Sequence, residues 1–317
     1  MSFDPSVQLG PLKLPNPVLL ASGTAGYGKE ISRYLDLSRL GGIMVKGVAP
    51  EPWLGNPQPR TVETPGGLIN SIGLENPGLK HFLEEDLPFL KEVGIPVIVN
   101  VIGHTVEEYA RVARGLRDSG VAALELNISC PNIEEGGIHF GHDPRQAAEV
   151  TRAVREENGA PLFVKLSPNA PDVLKVAEAV LKAGADGLSA MNTYVAMAVD
   201  VWQEKPVLPG ITGGLSGPAI KPLVMRWVWE LYREFSVPII AMGGITRFED
   251  AAEYMLAGAS AVAVGTASFI NPSIAEEILE GLLRWGASRQ GGQTSFQSAI
   301  GAAHKGVKRK GPLYGGA

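Results

Sequence analysis

The residues best suited to chemistry follow one short apolar run. The segment 122–132, AALELNISCPN, begins like a buried strand and ends in amides, a hydroxyl and Cys130, the only cysteine of the chain. In α/β proteins, ligands bind at the carboxyl ends of parallel strands. Because Cys130 has no second cysteine to pair with, it is either a small packing residue or a reactive thiol. Its place at a strand end, before Pro131 and the glycine-bearing segment Glu134–Gly141, favours the reactive thiol.

Two lysines end apolar runs in a similar way. Lys46 follows GGIMV, and Lys165 stands at or near the end of the run in LFVKLS. A lysine at a strand end has no structural duty there, but its charge and three donors suit an anionic or electron-rich ligand. A single lysine at such a position could equally well occur by chance. Two that face one barrel mouth favour a bound anion, or a reducible ring whose reduced form is negative.

Asparagines make a second set of candidate ligand contacts. They are Asn70, Asn100, Asn127, Asn132 and Asn192, the last followed by Thr193. Singly, each is typical of a turn or a cap. Four of them lie at strand ends or in site loops, and an amide offers both a donor and an acceptor without charge. The set therefore suits a planar ligand with alternating C=O and N–H groups, such as a pyrimidine or a flavin ring.

Glycine pairs after the last two predicted strands indicate a phosphate site. The seventh strand runs into Gly243-Gly244 and the eighth into Gly265-Thr266, each just ahead of a helical segment. Backbone N–H groups at such turns bind anions, and in barrels the loops after strands seven and eight are the usual phosphate site. The glycines of TGGLSG (Gly213, Gly214 and Gly217) are candidates for a second loop that approaches the same ligand closely.

The elements that must position these residues alternate along the chain. Short β-like runs lie at Val18–Ala21, Gly42–Lys46, Pro96–Val101, Ala123–Leu126, Leu162–Leu166, Gly187–Met191, Pro238–Met242 and Ala261–Val264. Amphipathic helical patterns between them include Val106–Asp118, Ala147–Glu157, Val173–Ala183, Lys221–Phe235 and Phe248–Ala257. About eight such units predict an α/β fold, a single (β/α)8 TIM barrel spanning residues 1–317. A doubly wound open sheet is the alternative, which the lack of a glycine fingerprint after the first strand disfavours.

The extra length of the chain falls in three connections that follow strands. They are Gly47–Pro77, Ser129–Pro144 and Thr193–Pro218, and long loops of this kind lie over the active site of a barrel. The opening VQLGPLKLPNPV predicts an N-terminal hairpin that plugs the other end. The basic tail from His304 is expected to be a frayed terminus.

Composition restricts the classes of function. A formal charge of −5 and a pI near 5.7 argue against a nucleic-acid surface. The amino terminus lacks a signal-peptide pattern, and no apolar stretch approaches the ~20 residues of a membrane span. We therefore expect a cytoplasmic protein. The five histidines lack paired ligand spacing, so no metal site is predicted.

A phosphate cradle, two lysines and amide side chains on a barrel predict a site for flavin mononucleotide (FMN), with Cys130 as general base while the flavin accepts hydride. The motifs LNISCPN, NSIGLENPG, MNT, TGGLSGPAIKP, MGGI and AVAVGTA, with Lys46 and Lys165, together resemble the dihydroorotate dehydrogenases over nearly the whole chain. The forms SCPNIEEGGIHFG and TGGLSGP resemble the class 1B branch. That branch pairs an FMN catalytic subunit, typically a homodimer, with two iron–sulfur/FAD subunits that pass electrons to NAD in a heterotetramer.

The resemblance implies oxidation of (S)-dihydroorotate to orotate in pyrimidine synthesis. Cys130 would take the C5 proton, and C6 would deliver hydride to the flavin. The residues implied to line the flavin are Ser22, Lys46, Asn100, Asn127, Lys165, Met191, Gly217, Gly243, Gly244, Gly265 and Thr266. Those implied to hold the substrate are Lys46, Asn70, Ser71, Ile72, Gly73, Leu74, Asn127, Asn132, Asn192 and Thr193.

The sequence departs from the usual family pattern at two positions, and other functions are still possible alternatives. Gly47 and Val48 stand where the family usually has Ala or Ser with Thr. This difference puts one side-chain contact to the flavin or substrate in doubt, and a backbone N–H could replace it.

The alternative functions are another FMN barrel that reduces pyrimidines, a tRNA dihydrouridine synthase, and a non-catalytic flavoprotein subunit that relays electrons. The acidic charge disfavours the RNA enzyme, and Cys130 disfavours the relay. The electron acceptor, NAD or fumarate, is left open because fumarate-using relatives share most of these motifs.

Overall fold

Eight parallel strands close into a barrel in a computed structural model that describes residues 3–129, 131–132, 138–289 and 295–307. In chain order, β1 to β8 are Val18–Leu20, Gly42–Met44, Val97–Val101, Ala123–Asn127, Leu162–Lys165, Gly187–Ala190, Ile239–Ala241 and Ala261–Val264. Each strand pairs with its neighbours in sequence, and β8 pairs with β1, Val262 opposite Val18. The predicted (β/α)8 barrel is confirmed, and the open sheet is wrong because the sheet has no edge.

Helices cover the outside of the barrel: two α-helices lie between β2 and β3, one follows each later strand, and only short 3-10 helices lie between β1 and β2. In order, α1 to α8 are Gly78–His81, Leu87–Val93, Val106–Gly115, Pro144–Glu157, Val173–Lys182, Lys221–Glu234, Phe248–Ala257 and Ile274–Ser288. Side chains that accept from first-turn N–H groups begin three of them: Thr105 caps α3, Asp143 caps α4 and Asp172 caps α5. These caps fix where each loop after a strand gives way to a helix.

The barrel interior is apolar at most positions but carries polar side chains near the mouth. All five residues of β3 and all five of β4 are buried. Among them are Asn100 in β3 and Glu125 and Asn127 in β4, and Lys165 of β5 is buried as well. Buried polar groups of this kind require hydrogen-bond partners, so these positions indicate where the barrel does something other than pack.

The N-terminal hairpin lies against the amino-terminal end of the barrel, as predicted. Val7–Leu9 pairs antiparallel with Leu12–Leu14, and the two strands bury their alternate apolar side chains. Gly10, at the turn, lies close to Asp186 and Pro238, which directly precede β6 and β7. The hairpin therefore closes the end opposite the strand carboxyl termini.

Two of the long connections form one sheet over the mouth. The loop after β2 contributes Thr61–Thr64 and Gly67–Asn70, and the loop after β6 contributes Tyr194–Met197 and Thr212–Ser216. They pair antiparallel through Gly67–Asn70 and Thr212–Ser216 into a four-stranded sheet, hereafter the mouth sheet. The third long connection is described in part, with the backbone of 131–132 paired antiparallel with that of 138–139.

Candidate active site

A cavity of about 520 Å³ lies between the carboxyl ends of the barrel strands and the mouth sheet. The predicted site residues in its wall are Ser22, Lys46, Asn70, Ser71, Ile72, Gly73, Leu74, Asn100, Asn127, Lys165, Met191, Asn192, Thr193, Gly217, Gly243, Gly244, Gly265 and Thr266. The fold thus brings together almost every residue that the sequence selected. Their separate roles toward cofactor and substrate stay predictions.

Two predicted residues are exceptions. Cys130, the predicted base, lies outside the described residues, and so does the side chain of Asn132. Ser129, the residue immediately before Cys130, lines the cavity, and its hydroxyl accepts a 2.8 Å hydrogen bond from Nδ2 of Asn192. Neither the cysteine nor the asparagine is tested by the geometry.

Lys165 is a buried cation that faces the cavity. Only 7% of the residue is exposed, and its Nζ donates to the Ser22 hydroxyl at 3.1 Å. Among the described residues, no carboxylate oxygen lies within 4.0 Å of this ammonium, so it forms no ion pair with them. A buried charge is costly unless it is paired. An anionic or electron-rich group in the cavity would supply the missing partner.

Lys46 differs from Lys165 because it has a carboxylate partner. Its Nζ lies 3.5 Å from Oε2 of Glu75, and the same oxygen lies 3.1 Å from Nη1 of Arg60. The hydrogen bond from Arg60, and then the charge of Lys46, lower the pKa of the half-exposed Glu75. Glu75 therefore stays ionised at neutral pH and holds Lys46 at the cavity edge.

The segment Asn70–Leu74 forms a loop of backbone donors beside Lys46. Nδ2 of Asn56 donates to the carbonyl and hydroxyl of Ser71, and the Ser71 N–H donates to the Arg60 carbonyl at 2.7 Å. Leu74 adopts φ of 55°, a conformation that non-glycine residues rarely take. Among the described residues, the N–H groups of Ile72, Gly73 and Leu74 have no acceptor. Three unpaired donors in one wall suit a carboxylate ligand.

The turns after β7 and β8 carry further unpaired N–H groups. In the described part of the chain, those of Gly243, Gly244, Gly265 and Thr266 have no acceptor. Gly244 has φ of 70°, and a Cβ there would lie 2.7 Å from Cβ of Lys221. The glycine is thus required by the protein's own packing, which brings this backbone close to the cavity. The arrangement fits the phosphate cradle that the sequence predicts.

Asp250 holds the turn after β7 from behind. Its Oδ2 accepts from the N–H and hydroxyl of Thr246 and from the N–H of Arg247, and its Oδ1 pairs with Nζ of Lys221 at 2.5 Å. Burial by itself would raise the pKa of Asp250, but the hydrogen bonds from Lys221 and Thr246 outweigh that effect and the pKa lies below its ordinary value. The turn is therefore fixed by an ionised carboxylate.

The glycines of TGGLSG serve the mouth sheet as well as the cavity. Gly214 and Gly217 line the cavity, but Gly213 does not. A Cβ on Gly213 would lie 2.5 Å from the Asn70 carbonyl, and one on Gly214 would lie 1.9 Å from Oγ1 of Thr193. Strand packing thus accounts for the first two glycines of the motif. The candidate role of Gly213 in approaching a ligand is not supported by its position.

The departure at Gly47 and Val48 has a packing explanation. Gly47 lines the cavity, and a Cβ there would lie 2.8 Å from Cδ1 of Ile102. The Val48 N–H donates to the Asn100 carbonyl at 2.8 Å, so that amide is already used. Of the two backbone N–H groups considered as substitutes for the lost side-chain contact, only that of Gly47 is left for a ligand.

Sequence reasoning missed Glu125, a fully buried carboxylate directly behind the cavity wall. Its Oε2 accepts from Nδ2 of Asn100 at 2.5 Å and from the Ser22 hydroxyl at 3.3 Å. Glu125 lies between Leu124 and Leu126, in a segment whose pattern predicts a buried strand. Its spacing was the available signal, because a residue two positions before Asn127 lies on the same face of the strand as Asn127. Other wall residues that the sequence did not select are Thr61, Ser216, Thr246 and Phe269.

No cluster of three or more His, Cys, Asp or Glu side chains suited to a metal ion occurs within the described residues. In the same part of the chain, no helix has the length and apolar character needed to cross a membrane.

Comparison with known proteins identifies relatives of this chain. The sequence profile of the family described as "Dihydroorotate dehydrogenase" matches residues 6–285. A protein of Desulforamulus reducens named "Dihydroorotate dehydrogenase B (NAD(+)), catalytic subunit" is 51% identical over 96% of this chain and 100% of its own length. Proteins of the same name from Geotalea daltonii (55% identical; 88% of this chain, 92% of theirs) and Trichlorobacter lovleyi (52% identical; 94% and 97%) are similar to it as well.

Proposed function

Because the chain belongs to the dihydroorotate dehydrogenase family, we propose that it oxidises (S)-dihydroorotate to orotate in pyrimidine biosynthesis with FMN bound in the cavity. The observation that carries the proposal is Lys165. A buried ammonium that has no carboxylate partner among the described residues, at the floor of a large cavity, suits an electron-rich ring that becomes anionic on reduction. Few other ligands would use such a charge together with amides and free backbone donors.

The donor set fits FMN, the cofactor on which this family depends. The N–H groups of Gly243, Gly244, Gly265 and Thr266, which have no acceptor in the described part of the chain, would hold its phosphate. Lys165, Ser22, Asn100 and Asn127 would contact the polar ring edge, with Met191 and Gly217 completing the wall. When bound there, FMN supplies the hydride acceptor that amino-acid side chains lack.

The rest of the cavity would hold dihydroorotate. Lys46 and the N–H groups of Ile72, Gly73 and Leu74, for which the described residues supply no acceptor, suit a carboxylate, because they combine a charge with several donors. Asn70, Asn127, Asn132 and Asn192 offer amides to a ring with alternating C=O and N–H groups. Ser71 and Thr193 complete the set. Sequestering the ring under the mouth sheet would also exclude water from the reacting carbon.

Cys130 is the proposed general base. Its thiolate Sγ would take the proton from C5 of the substrate while hydride leaves C6 for the flavin. The electron pair of the broken C5–H bond would form the C5=C6 double bond, and the hydride would carry two electrons to the flavin. A free thiol has a pKa of roughly 8.5, so the base form increases as the pH rises through that region. Cys130 follows Ser129 at the end of the strand that carries Asn127.

We also propose that the chain is the catalytic subunit of a larger assembly. Its relatives are named as NAD(+)-type catalytic subunits, and an iron–sulfur/FAD subunit would carry electrons from FMN to NAD. A homodimer of the catalytic chain, joined to two such subunits, fits an unusual surface: apolar side chains on and beside the mouth sheet are exposed, with Trp202 93% and Val201 72% accessible. A cytoplasmic location belongs to the same proposal.

An anaerobic half-reaction tests the function directly. The purified chain is loaded with FMN and mixed with dihydroorotate, and the visible flavin absorbance is followed while orotate is assayed. Bleaching with one orotate formed per flavin is the expected result. A yellow protein that does not bleach would keep the flavin site but reject the substrate, and a chain that cannot take up FMN would reject the site. Adding NAD with the electron-transfer subunit, or fumarate without it, then identifies the oxidant.

A further inference from the structure

A buried carboxylate lies at one end of a row of three asparagines that crosses the cavity floor. The row consists of Asn100, Asn127 and Asn192, from β3, β4 and the residues after β6, and is called the asparagine row here. Nδ2 of Asn127 donates to Oδ1 of Asn100 at 3.3 Å, and Nδ2 of Asn192 donates to Oδ1 of Asn127 at 3.4 Å. Each amide thus gives its NH2 group to the carbonyl of the next.

Glu125 fixes the orientation of the first amide of this row. A carboxylate can only accept hydrogen bonds, so Asn100 must turn its NH2 group toward Oε2 of Glu125, 2.5 Å away. The Asn100 carbonyl then faces Asn127, which donates to it from its own NH2 group. Two backbone donors hold the other amides in the same direction: the Ser129 N–H donates to Oδ1 of Asn127 at 3.2 Å, and the Thr193 N–H donates to Oδ1 of Asn192 at 2.9 Å. Glu125 therefore sets the orientation of Asn100 and makes it match that of the rest of the row.

Lys165 fixes the other connection to Glu125. Its ammonium has only donors, so the Ser22 hydroxyl must accept from Lys165 and donate its own proton to Oε2 of Glu125. The carboxylate is fully buried, and its second oxygen has no partner among the described residues. A group held in this way at such desolvation cost has a use beyond packing.

We propose that Glu125 is a positioning residue for the pyrimidine ligand. It touches neither cofactor nor substrate; it acts through Asn100 and Ser22, and it makes Asn100 turn its carbonyl, and not its NH2 group, toward Asn127. A ligand with alternating C=O and N–H groups binds only if each amide presents the complementary atom. The inference rests on the proposed function, because it assumes that the ligand of the row is dihydroorotate or orotate.

Glu125→Gln tests the proposal with little change in volume. Glutamine can donate to Asn100, which permits the Asn100 amide to turn its NH2 group toward that of Asn127, whose own direction is fixed by the Ser129 N–H. We expect the Kd for orotate, measured from its perturbation of the flavin spectrum, to rise about tenfold, the effect of one lost hydrogen bond. Orotate is titrated at saturating FMN, because Asn100 and Ser22 would also contact the flavin ring, and the melting temperature is expected to stay near that of the wild type. Ser189→Ala is the matched control, since it removes a buried hydroxyl that has no partner among the described residues, on β6, which β5 separates from the strand of Glu125, and leaves orotate binding unchanged.

A rescue experiment separates orientation from general damage. Asn100→Asp alone puts two carboxylates in contact and should weaken orotate binding at least as much as Glu125→Gln. The double variant Glu125→Gln/Asn100→Asp restores an acceptor toward Asn127 and a donor toward Asp at 100, so orotate affinity should recover about tenfold over Asn100→Asp. This recovery is a readout that simple destabilisation would not give.

The outcomes distinguish this inference from the proposed function. If the wild-type chain shows no spectral change with orotate, the proposed function fails before Glu125 is tested. If the wild type responds and Glu125→Gln binds orotate with unchanged Kd, or the double variant is no better than Asn100→Asp, the positioning role is wrong and the function stands. A Glu125→Gln chain that does not fold is replaced by Glu125→Asp, which keeps the acceptor and should retain the wild-type Kd within about threefold.

Discussion

The ammonium of Lys165, at the end of β5, donates a 3.1 Å hydrogen bond to the hydroxyl of Ser22, just beyond the end of β1. The two residues are 143 positions apart in the chain, and closure of the barrel brings them together. Ser22 in turn donates to the buried Glu125. The cation is thus held by a hydroxyl that leaves its charge available, whereas a direct ion pair would have neutralised it.

Replacing Lys165 with methionine should weaken FMN binding. Methionine keeps much of the length and apolar stem but removes the charge and its donors. We expect the Kd for FMN, from fluorescence titration of the cofactor-free chain, to rise about 10- to 100-fold, the range for a lost hydrogen bond to a charged group. Lys175→Met, on an exposed face of α5, is the control. Equal FMN affinity in the two variants would remove Lys165 from the cofactor site.

Replacing Cys130 with alanine should separate binding from chemistry. The variant is expected to retain FMN and to bind orotate, because the proposed base removes a proton and does not hold the cofactor. Anaerobic flavin reduction by dihydroorotate should slow by about 10²- to 10⁴-fold, the usual contribution of a general base. In the wild type, the same rate should rise with pH as the thiol loses its proton, at roughly pH 8.5 for a free thiol. A pH-independent rate, or full reduction by the variant, would rule out Cys130.

Two glycine variants separate packing from ligand contact in the phosphate cradle. Gly244→Ala places a Cβ 2.7 Å from Cβ of Lys221 at a φ of 70°, so the cofactor-free chain should lose about 1–3 kcal/mol of stability. Gly265→Ala meets no described protein atom closer than 3.5 Å, so its stability loss should be smaller while FMN affinity still falls. Urea denaturation of the cofactor-free chains and FMN titration give both quantities. Retained FMN affinity in Gly265→Ala would contradict a phosphate at this turn.

The sequence predicted the barrel because fully buried strands read as short apolar runs and the helices between them have one apolar face. It also predicted most of the cavity wall, since polar residues that end such runs meet at one end of a parallel barrel. Lys46, Lys165 and Asn127 were found in this way.

Long-range pairing was beyond local patterns. Nothing in 67–70 or 212–216 states that these segments pair into the mouth sheet, because their pairing depends on where the barrel delivers both connections. Glu125 was missed for a related reason: its partners, Asn100 and Ser22, come from other strands. A carboxylate within a buried strand is a readable signal, but its meaning requires the neighbours.

The exposed apolar surface beside the mouth sheet predicts that a charged substitution there impairs subunit assembly. Trp202 is 93% exposed, and Val199 and Val201 beside it are 55% and 72% exposed. Surfaces of this type are usually covered by another protein chain. Trp202→Glu should therefore shift the chain toward monomer in sedimentation analysis, whereas Tyr34→Glu, at an exposed ring in the connection after β1, should not. Unchanged mass for Trp202→Glu would place the interface elsewhere.

Asp250→Asn should destabilise the fold in a pH-dependent way. The carboxylate is buried against Lys221 and the N–H groups of Thr246 and Arg247, and its lowered pKa means that the folded state favours the ionised form. The amide keeps the shape but loses the charge, so we expect about 1.5–3 kcal/mol less stability at pH 7.

The sign of the pH dependence follows from the lowered pKa of Asp250. A carboxyl whose pKa is depressed on folding stabilises the protein fully above its unfolded pKa of about 3.9, and the contribution disappears as the pH falls through the lower folded value. The stability gap between wild type and Asp250→Asn in urea denaturation should therefore be constant from pH 7 to about pH 5 and shrink below about pH 4. Glu249→Gln, exposed on the same helix α7, should show little gap at any pH. A gap that persists or widens in acid would mean that the ionised carboxylate is not what holds the Gly243–Gly244 turn.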